Sequence, residues 1–272
     1  MPKSLRGFVR AAYSRFLRPW IKTRINRQRV KLPWDVWGYW RLFTIEGLNL
    51  VEKLTLLCRF LKVDWGIVHG HKPCEVSEVC RVLAERRGRD NETFLEAGCW
   101  NGGSSAKFSI VCKMLGYRLA VYDSFQGVEA VPEEAAAGNY DFAGEYAAPQ
   151  DVLRENLARF GEPDVVSINP GWFCDTLAGR KLDLSIRGVF LDCDLAKGSQ
   201  EVLESAVPAL TADGCIFTQD YHIRPVRELL HDPQTWSGLG VAPPKITFLC
   251  LHLAALRFDA KSPVRTAELT TA

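Results

Sequence analysis

An α/β fold on a mostly parallel sheet is predicted for this chain by three observations. After Asn91, short apolar segments alternate with helical ones, as strand–helix–strand units require. The first apolar segment runs into a glycine-rich turn, Gly98-Cys-Trp-Asn-Gly102-Gly103, and glycines there let backbone approach a ligand closely. Acidic residues also close successive segments, at Glu96, Asp123, Asp192 and Asp220. In an open parallel sheet the carboxyl ends of the strands are where ligands bind.

The first segment, residues 1–31, stands apart. Residues 1–34 carry ten Lys or Arg and no acid, a charge of +10 within a total of +2, so the remainder is −8. Apolar residues at Leu5, Phe8, Val9, Ala12, Phe16, Leu17, Trp20 and Ile21 keep helical spacing, which predicts a basic amphipathic helix that Pro19 kinks or divides. Such a helix suits an anionic membrane surface. Packing on its own domain, a dimer contact and an organellar presequence are the competing readings. Nucleic-acid binding is not expected, since no recognised module accompanies the basic residues. The uninterrupted apolar core of a secretory signal is missing, and no window approaches the roughly 18 apolar residues of a membrane span. The expected location is therefore the cytoplasm, with peripheral attachment to the inner membrane face if residues 1–31 bind lipid.

Residues 32–90 read as a helical extension that caps the substrate. They hold Trp34, Trp37, Tyr39, Trp40 and an apolar run from Leu54 to Leu61. Trp37 and Trp40 are expected to pack on the domain rather than face substrate. His69-Gly-His71-Lys-Pro reads as a loop; a lone H-x-H is a weak metal pattern, so loop hydrogen bonding is expected of it.

Residues 91–272 form the α/β domain. Strands are predicted at 94–97, 118–122, 165–168, 188–191, 215–218 and 246–253, with helices at 104–115, 151–160 and 200–210. The stretch 129–150, rich in Ala, Gly and acids, reads as a functional lid or flexible segment. Nine cysteines are scattered without a C-x-x-C pair, which predicts free thiols in a reducing compartment and gives no zinc spacing.

The chemistry is read from the residues at and just beyond each strand's carboxyl end. The G-x-x-x-G-G spacing differs from the G-x-G-x-x-G of dinucleotide folds, and a pyrophosphate would be repelled by Glu96. A ligand with a cationic end, such as the methionine part of S-adenosylmethionine, would tolerate or seek that acid. Asp123 suits ribose hydroxyls. Carboxylates at neighbouring strand tips, such as Asp192, Asp194 and Asp220, can converge on one divalent cation or cap helices instead.

Four segments carry a family resemblance. Phe94-Leu-Glu-Ala-Gly-Cys-Trp-Asn-Gly-Gly-Ser-Ser, Asp123-Ser-Phe-Gln-Gly127 and Gly171-Trp-Phe-Cys-Asp-Thr-Leu177 are three of them. The fourth is Leu191-Asp-Cys-Asp-Leu195 followed by Gly214-Cys-Ile-Phe-Thr-Gln-Asp-Tyr221. Together they resemble the macrocin O-methyltransferase group of sugar methyltransferases over residues 93 to about 230. The resemblance implies a Rossmann-like class I fold with a seven-stranded, mostly parallel sheet, S-adenosylmethionine as cofactor, a homodimer as a common assembly, and Mg²⁺ as the usual metal. Carried onto this chain, Glu96, Gly98, Trp100, Gly102 and Ser104 belong to the cofactor turn, and Asp123 and Ser124 to the ribose side. Gly171 and Trp172 fall near the adenine. Asp192, Gln219 and Asp220 match the metal carboxylates, with Asp192 also in the cofactor cleft.

One departure matters. The family has Asp-Asp-Tyr where this chain has Gln219-Asp220-Tyr221. A Gln carbonyl can still meet a hard cation, but the site loses one negative charge, so weaker metal binding or none is expected. Lys197 also replaces an acid of the family's pattern. The expected reaction is methyl transfer to a hydroxyl of a sugar, glycan or glycolipid. Asp192 is the first choice to receive the hydroxyl proton, and His222 is a substitute base. The rival readings are a NAD-dependent oxidoreductase and a non-catalytic relative that acts as a partner at a membrane.

Overall fold

The computed structural model describes residues 37–89, 91–136 and 141–259. The basic segment 1–31, with the readings attached to it, and Trp34 lie outside these.

Within them, seven strands form one sheet in the order β3-β2-β1-β4-β5-β7-β6. The strands are β1 (Glu92–Ala97), β2 (Arg118–Asp123), β3 (Val166–Pro170), β4 (Ser185–Leu191), β5 (Leu210–Thr218), β6 (Lys245–Cys250) and β7 (Leu253–Arg257). β1 to β5 pair in parallel, and β7 is antiparallel to both β5 and β6. This is the mostly parallel seven-stranded sheet expected from the sequence.

Strand alternation sorts the core into two layers. Phe94, Leu119, Val121, Phe190 and Phe217 face one side; Leu95, Ala120, Val189, Leu191 and Ile216 face the other. On the first side lie α1 (Leu50–Gly66), α2 (Pro73–Leu83), α3 (Gly103–Leu115) and α5 (Gln150–Phe160), after a 3₁₀ turn at Gly38–Thr44. Asn49 starts α1 through a capping box with Glu52, and Leu56, Phe60 and Val63 then fall on one buried stripe. The helices before residue 90 thus share one hydrophobic layer with the sheet. Truncating Phe60 there would cost about 3–5 kcal/mol. On the second side lie α7 (Ala196–Ala206), α8 (Arg224–His231) and α9 (Pro233–Gly238), with the short α4 (Pro132–Ala136) and α6 (Phe173–Thr176) near the strand tips.

Three readings need correction. The helix read over 200–210 spans Ala196–Ala206, and Leu210 already opens β5; Pro208 cannot continue a helix. The single late strand read over 246–253 is a hairpin, since Leu251 takes a left-handed φ of 50° and reverses the chain between β6 and β7. Trp37 and Trp40, expected to pack on the domain, are 70% and 59% exposed and stack on each other. The thiols are all free, six of the nine cysteines being buried. No helix among the described residues is long and apolar enough to cross a membrane.

Candidate active site

The tips of β1, β2, β4 and β5 are stitched together by backbone hydrogen bonds. Gly98 N–H donates to the Tyr122 carbonyl, Asp192 N–H to Ala97 and Gln219 N–H to Leu191, each at 2.9 Å. Beyond them opens a cavity of about 400 Å³, within the roughly 300–1,000 Å³ of small-molecule sites. It sits where strand order reverses between β1 and β4, the expected ligand position in such a sheet. Of the residues singled out from the sequence, Gly98, Trp100, Asp123, Ser124, Trp172, Asp192, Gln219 and His222 line it. Glu96, Gly102, Ser104, Gly171 and Asp220 are not part of this lining.

On the β1–β2 side the turn is shaped by glycine. Gly98 has φ +87°, and a Cβ there would meet the Asp192 carbonyl oxygen at 2.0 Å. Gly102, also left-handed, opens α3 without a side-chain cap, so the orphan N–H groups of that first turn are left for water or ligand. Asp123 clasps the turn from β2. Its Oδ2 accepts from Cys99 N–H at 2.7 Å and Trp100 N–H at 3.3 Å, and its Oδ1 from Phe125 N–H at 2.7 Å. Ser124 Oγ donates to the Gly127 carbonyl at 3.0 Å. Beneath the turn Glu96 is fully buried, and neither of its oxygens nor the Ser104 and Ser105 hydroxyls complete a hydrogen bond. Burial pushes the Glu96 carboxyl up to about 7. A positively charged ligand group above the turn would favour the ionised form. A sulfonium amino acid therefore fits this half of the cavity.

The β4–β5 side holds the carboxylates. Asp192 Oδ2 accepts from His71 Nε2–H at 3.0 Å. Asp220 is completely buried, and its Oδ2 accepts from Cys193 N–H at 2.8 Å and Asp194 N–H at 2.9 Å. Burial first, then the charges of Asp194 and Asp192, push the Asp220 carboxyl well above its ordinary value. Of the two orientations of the Gln219 amide, only one gives its neighbours hydrogen bonds. In it Nε2 donates to Asp192 Oδ1 at 3.2 Å and to Asp220 Oδ1 at 3.3 Å. The donor set expected for Mg²⁺ is thus met by N–H groups on the oxygens of both acids, and it does not fit a hard cation that needs those oxygens itself. Among the described residues no three His, Cys, Asp or Glu are grouped to hold a metal.

His222 reaches the same cavity and packs against His252, ring centroids 4.1 Å apart. Burial and that second imidazole lower its pKa. His71 reads from the sequence as a loop residue, and its hydrogen bond does come from a loop. Its partner, however, is Asp192, 121 positions away, which H-x-H spacing cannot reveal. Phe142 and Tyr146, from the stretch that reads as a lid, also line the cavity, with Tyr146 edge-on to Trp100 at 5.3 Å. That stretch is tied to α7. Glu134 accepts from Ala196 N–H at 3.0 Å and Lys197 N–H at 2.9 Å, and Lys197 Nζ meets Glu129 at 2.5 Å. Lys197, a departure from the family's pattern, therefore anchors the connection through its carboxylates.

Known proteins resemble this chain in sequence and in fold. The macrocin-O-methyltransferase (TylF) family model matches residues 85–246. An 8-demethyl-8-(2,3-dimethoxy-alpha-L-rhamnosyl)-tetracenomycin-C 4'-O-methyltransferase of Streptomyces olivaceus is 32% identical over 197 residues, 67% of this chain and 74% of the relative. A demethyldecarbamoylnovobiocin O-methyltransferase of Streptomyces niveus is 28% identical over 140 residues, 48% of this chain and 53% of that protein. Among solved structures, the O-methyltransferase NovP superposes with a TM-score of 0.59 at 18% identity, covering 71% of this chain and 84% of that one. A calicheamicin methyltransferase superposes at 0.55 and 17% identity, covering 84% and 93%. At these identities the two structures show the shared fold.

Proposed function

The chain belongs to the macrocin-O-methyltransferase family and is a methyltransferase dependent on S-adenosylmethionine; on that premise we propose that its acceptor is a sugar hydroxyl on a small natural product and that Asp192 takes the hydroxyl proton. The observation that carries the reading is Asp192 itself: a carboxylate at a strand tip, lining the cavity and held from both sides by N–H donors. A rhamnosyl acceptor in the name of the 32% identical relative supports the sugar class.

When bound, S-adenosylmethionine supplies a methyl group on a sulfonium, a leaving group that needs no activation. The chain's task is to align acceptor and methyl carbon and to receive a proton. A sugar hydroxyl is a weak nucleophile, so proton removal in the transition state matters. With the methyl group supplied by bound S-adenosylmethionine, the Asp192 carboxylate would receive the proton that the acceptor hydroxyl gives up as its oxygen is methylated. His71 and Gln219 hold that carboxylate in one orientation. Gly98, Trp100, Asp123, Ser124 and Trp172 are assigned to the cofactor side of the cavity, with Glu96, Gly102, Ser104 and Gly171 close to them in sequence. His222 is the second basic group facing the cavity and the alternative acceptor of the proton.

Calorimetric titration with S-adenosylhomocysteine, paired with transfer to a rhamnoside, tests this. The native chain and Asp192→Asn should bind S-adenosylhomocysteine equally, while only the native chain transfers. Absence of cofactor binding in the native chain would remove the premise; transfer by Asp192→Asn would move the proton to His222.

A lipid-linked sugar is the second reading, favoured by the exposed Trp37 and Trp40 directly after the basic residues 1–34. Co-sedimentation of the full chain with anionic but not neutral vesicles is the expected result, and equal recovery with both would end it.

A further inference from the structure

The β4–β5 tip is where this chain parts from the family pattern, and each oxygen of Asp192 and Asp220 has an N–H group within reach. Asp192 Oδ2 takes His71 Nε2–H at 3.0 Å. With its nitrogen turned toward them, the Gln219 amide donates to Asp192 Oδ1 and Asp220 Oδ1 at 3.2 and 3.3 Å. Asp220 Oδ2 takes two backbone N–H groups at 2.8 and 2.9 Å. In the opposite orientation the Gln219 oxygen faces the same two acids, and only a proton on the buried Asp220 could lie between them.

Mg²⁺ asks for six oxygens near 2.1 Å and leaves its water reluctantly, so it relies on dense negative charge. Here the residue that would add charge is a neutral amide, and its N–H₂ bridges the same two carboxylates a cation would bridge. On the other flank His71 is nine-tenths buried and set edge-on to Phe190 at 5.3 Å. A cation entering between the acids would have to turn the amide over and compete with an imidazole held by packing.

We propose that this chain has exchanged the divalent cation customary in its family for protein donors: the Gln219 amide bridges Asp192 and Asp220, the His71 imidazole fixes the other edge of Asp192, and methyl transfer runs without a metal. Gln219 and His71 are positioning residues in this account; they act through Asp192. The inference deepens the reading of Asp192 as proton acceptor and rests on it for its catalytic half, but its binding half does not depend on which sugar is methylated.

The test is Mn²⁺ titration of the full chain with S-adenosylhomocysteine present, monitored by the loss of free Mn²⁺ signal in electron paramagnetic resonance. The native chain should show no one-to-one binding up to about 1 mM, the weak limit of built oxygen sites. Gln219→Asp, which restores the missing charge, should gain one saturable site at least about tenfold tighter, since affinity follows ligand charge. Stoichiometric binding by the native chain below that limit overturns the proposal, because the amide then presents oxygen rather than nitrogen. A folded Gln219→Asp chain that gains no site overturns it as well, for Gln219 would not be what excludes the cation. Should that variant fail to fold, the native titration still decides. Transfer by the native chain should be unchanged in EDTA and in added Mg²⁺, and a loss of more than about tenfold in EDTA, roughly 1.4 kcal/mol of barrier, counts against it. A chain that ignores metal and also fails to methylate a rhamnoside keeps the binding half of this inference and removes the acceptor assignment with the catalytic half.

Discussion

His69 and His71 leave the same loop, two residues apart, and both line the cavity with rings 6.3 Å apart and nearly parallel, yet they pair with different carboxylates. His69 turns inward to Asp64 at 2.8 Å, beside the fully buried Lys107 on α3. That cluster is closed: Lys107 pairs with Asp64 and Tyr39 donates to it at 2.6 Å. Burial and the Lys107 charge push His69 down to about 4. His71 turns to the cavity and to Asp192. Burial alone would lower it too, but the Asp192 charge and hydrogen bond hold it above its ordinary value. One carboxylate is already neutralised by lysine and leaves its histidine neutral, whereas the other has no such cation and draws on its histidine. A carboxylate compensated by a buried lysine builds a core; one that shares its charge with an imidazole at a cavity stays open to a reacting group.

The comparison is broken or kept most sharply by paired carboxamide variants. Asp192→Asn should cost about 10²–10⁴-fold in kcat, the range for a lost general base, with little change in Tm. Asp64→Asn should leave kcat of the folded protein near native while lowering stability by about 3–5 kcal/mol, because Lys107 is then a buried charge without its partner. Denaturant unfolding and steady-state transfer on both variants check it. If the two variants exchanged phenotypes, the division between closed and open clusters would be wrong.

A smaller effect is expected in acid. His69 has a folded pKa near 4 against an ordinary 6.5, so it is neutral in both states above pH 6.5. As pH falls from 6.5 toward 4 the unfolded chain binds a proton that the folded chain refuses, and stability is lost. At roughly 1.4 kcal/mol per pH unit, the loss is a few kcal/mol. His69→Gln, which removes the titrating ring, should flatten that limb relative to the native chain. Parallel stability–pH curves for the two proteins would mean that His69 is not held neutral.

The sheet was legible because apolar strands and glycine turns are local signals, and the strand-tip acids Asp192 and Asp220 were read from the same rule. The glycine turn was legible for the same reason: a φ of +87° at Gly98 and +77° at Gly102 needs glycine, and glycine is visible in a sequence. What stayed hidden depends on distant partners. Asp123 reads as a ribose ligand, but that its oxygens clasp Cys99 and Phe125 N–H groups emerges only when β1 and β2 pair. Asp220 reads as a metal ligand, yet burial turns it to the backbone of residues 193 and 194. The helices α8 and α9 escaped the strand–helix pattern although Pro225 and Pro233 each stand in a first turn, a helix-start signal that was there to use. Lys107 offered none: a lysine inside an otherwise ordinary helix is expected in water, and only the packing of α1 over α3 shows why it is dry.

Tyr39 gives the finest test of the separation. Its hydroxyl donates to Asp64 Oδ2 at 2.6 Å while its ring sits under Lys107 Nζ at 5.7 Å. Tyr39→Phe keeps the ring and the packing and deletes one donor to a buried charge, which should cost about 1.5–3 kcal/mol. Burial raises the Tyr39 hydroxyl well above its ordinary pKa, and the Asp64 charge adds to that, so the group remains a donor throughout the neutral range and the cost should not vary between about pH 6 and 9. The denaturation midpoint should fall with an unchanged slope, because the surface exposed on unfolding is the same. Transfer by the folded variant should match the native chain, since Asp192 is held by His71 and Tyr39 bonds Asp64 instead. A variant that kept its stability but slowed transfer would mean that the closed cluster sets the position of His71, and that the two histidines act as one unit.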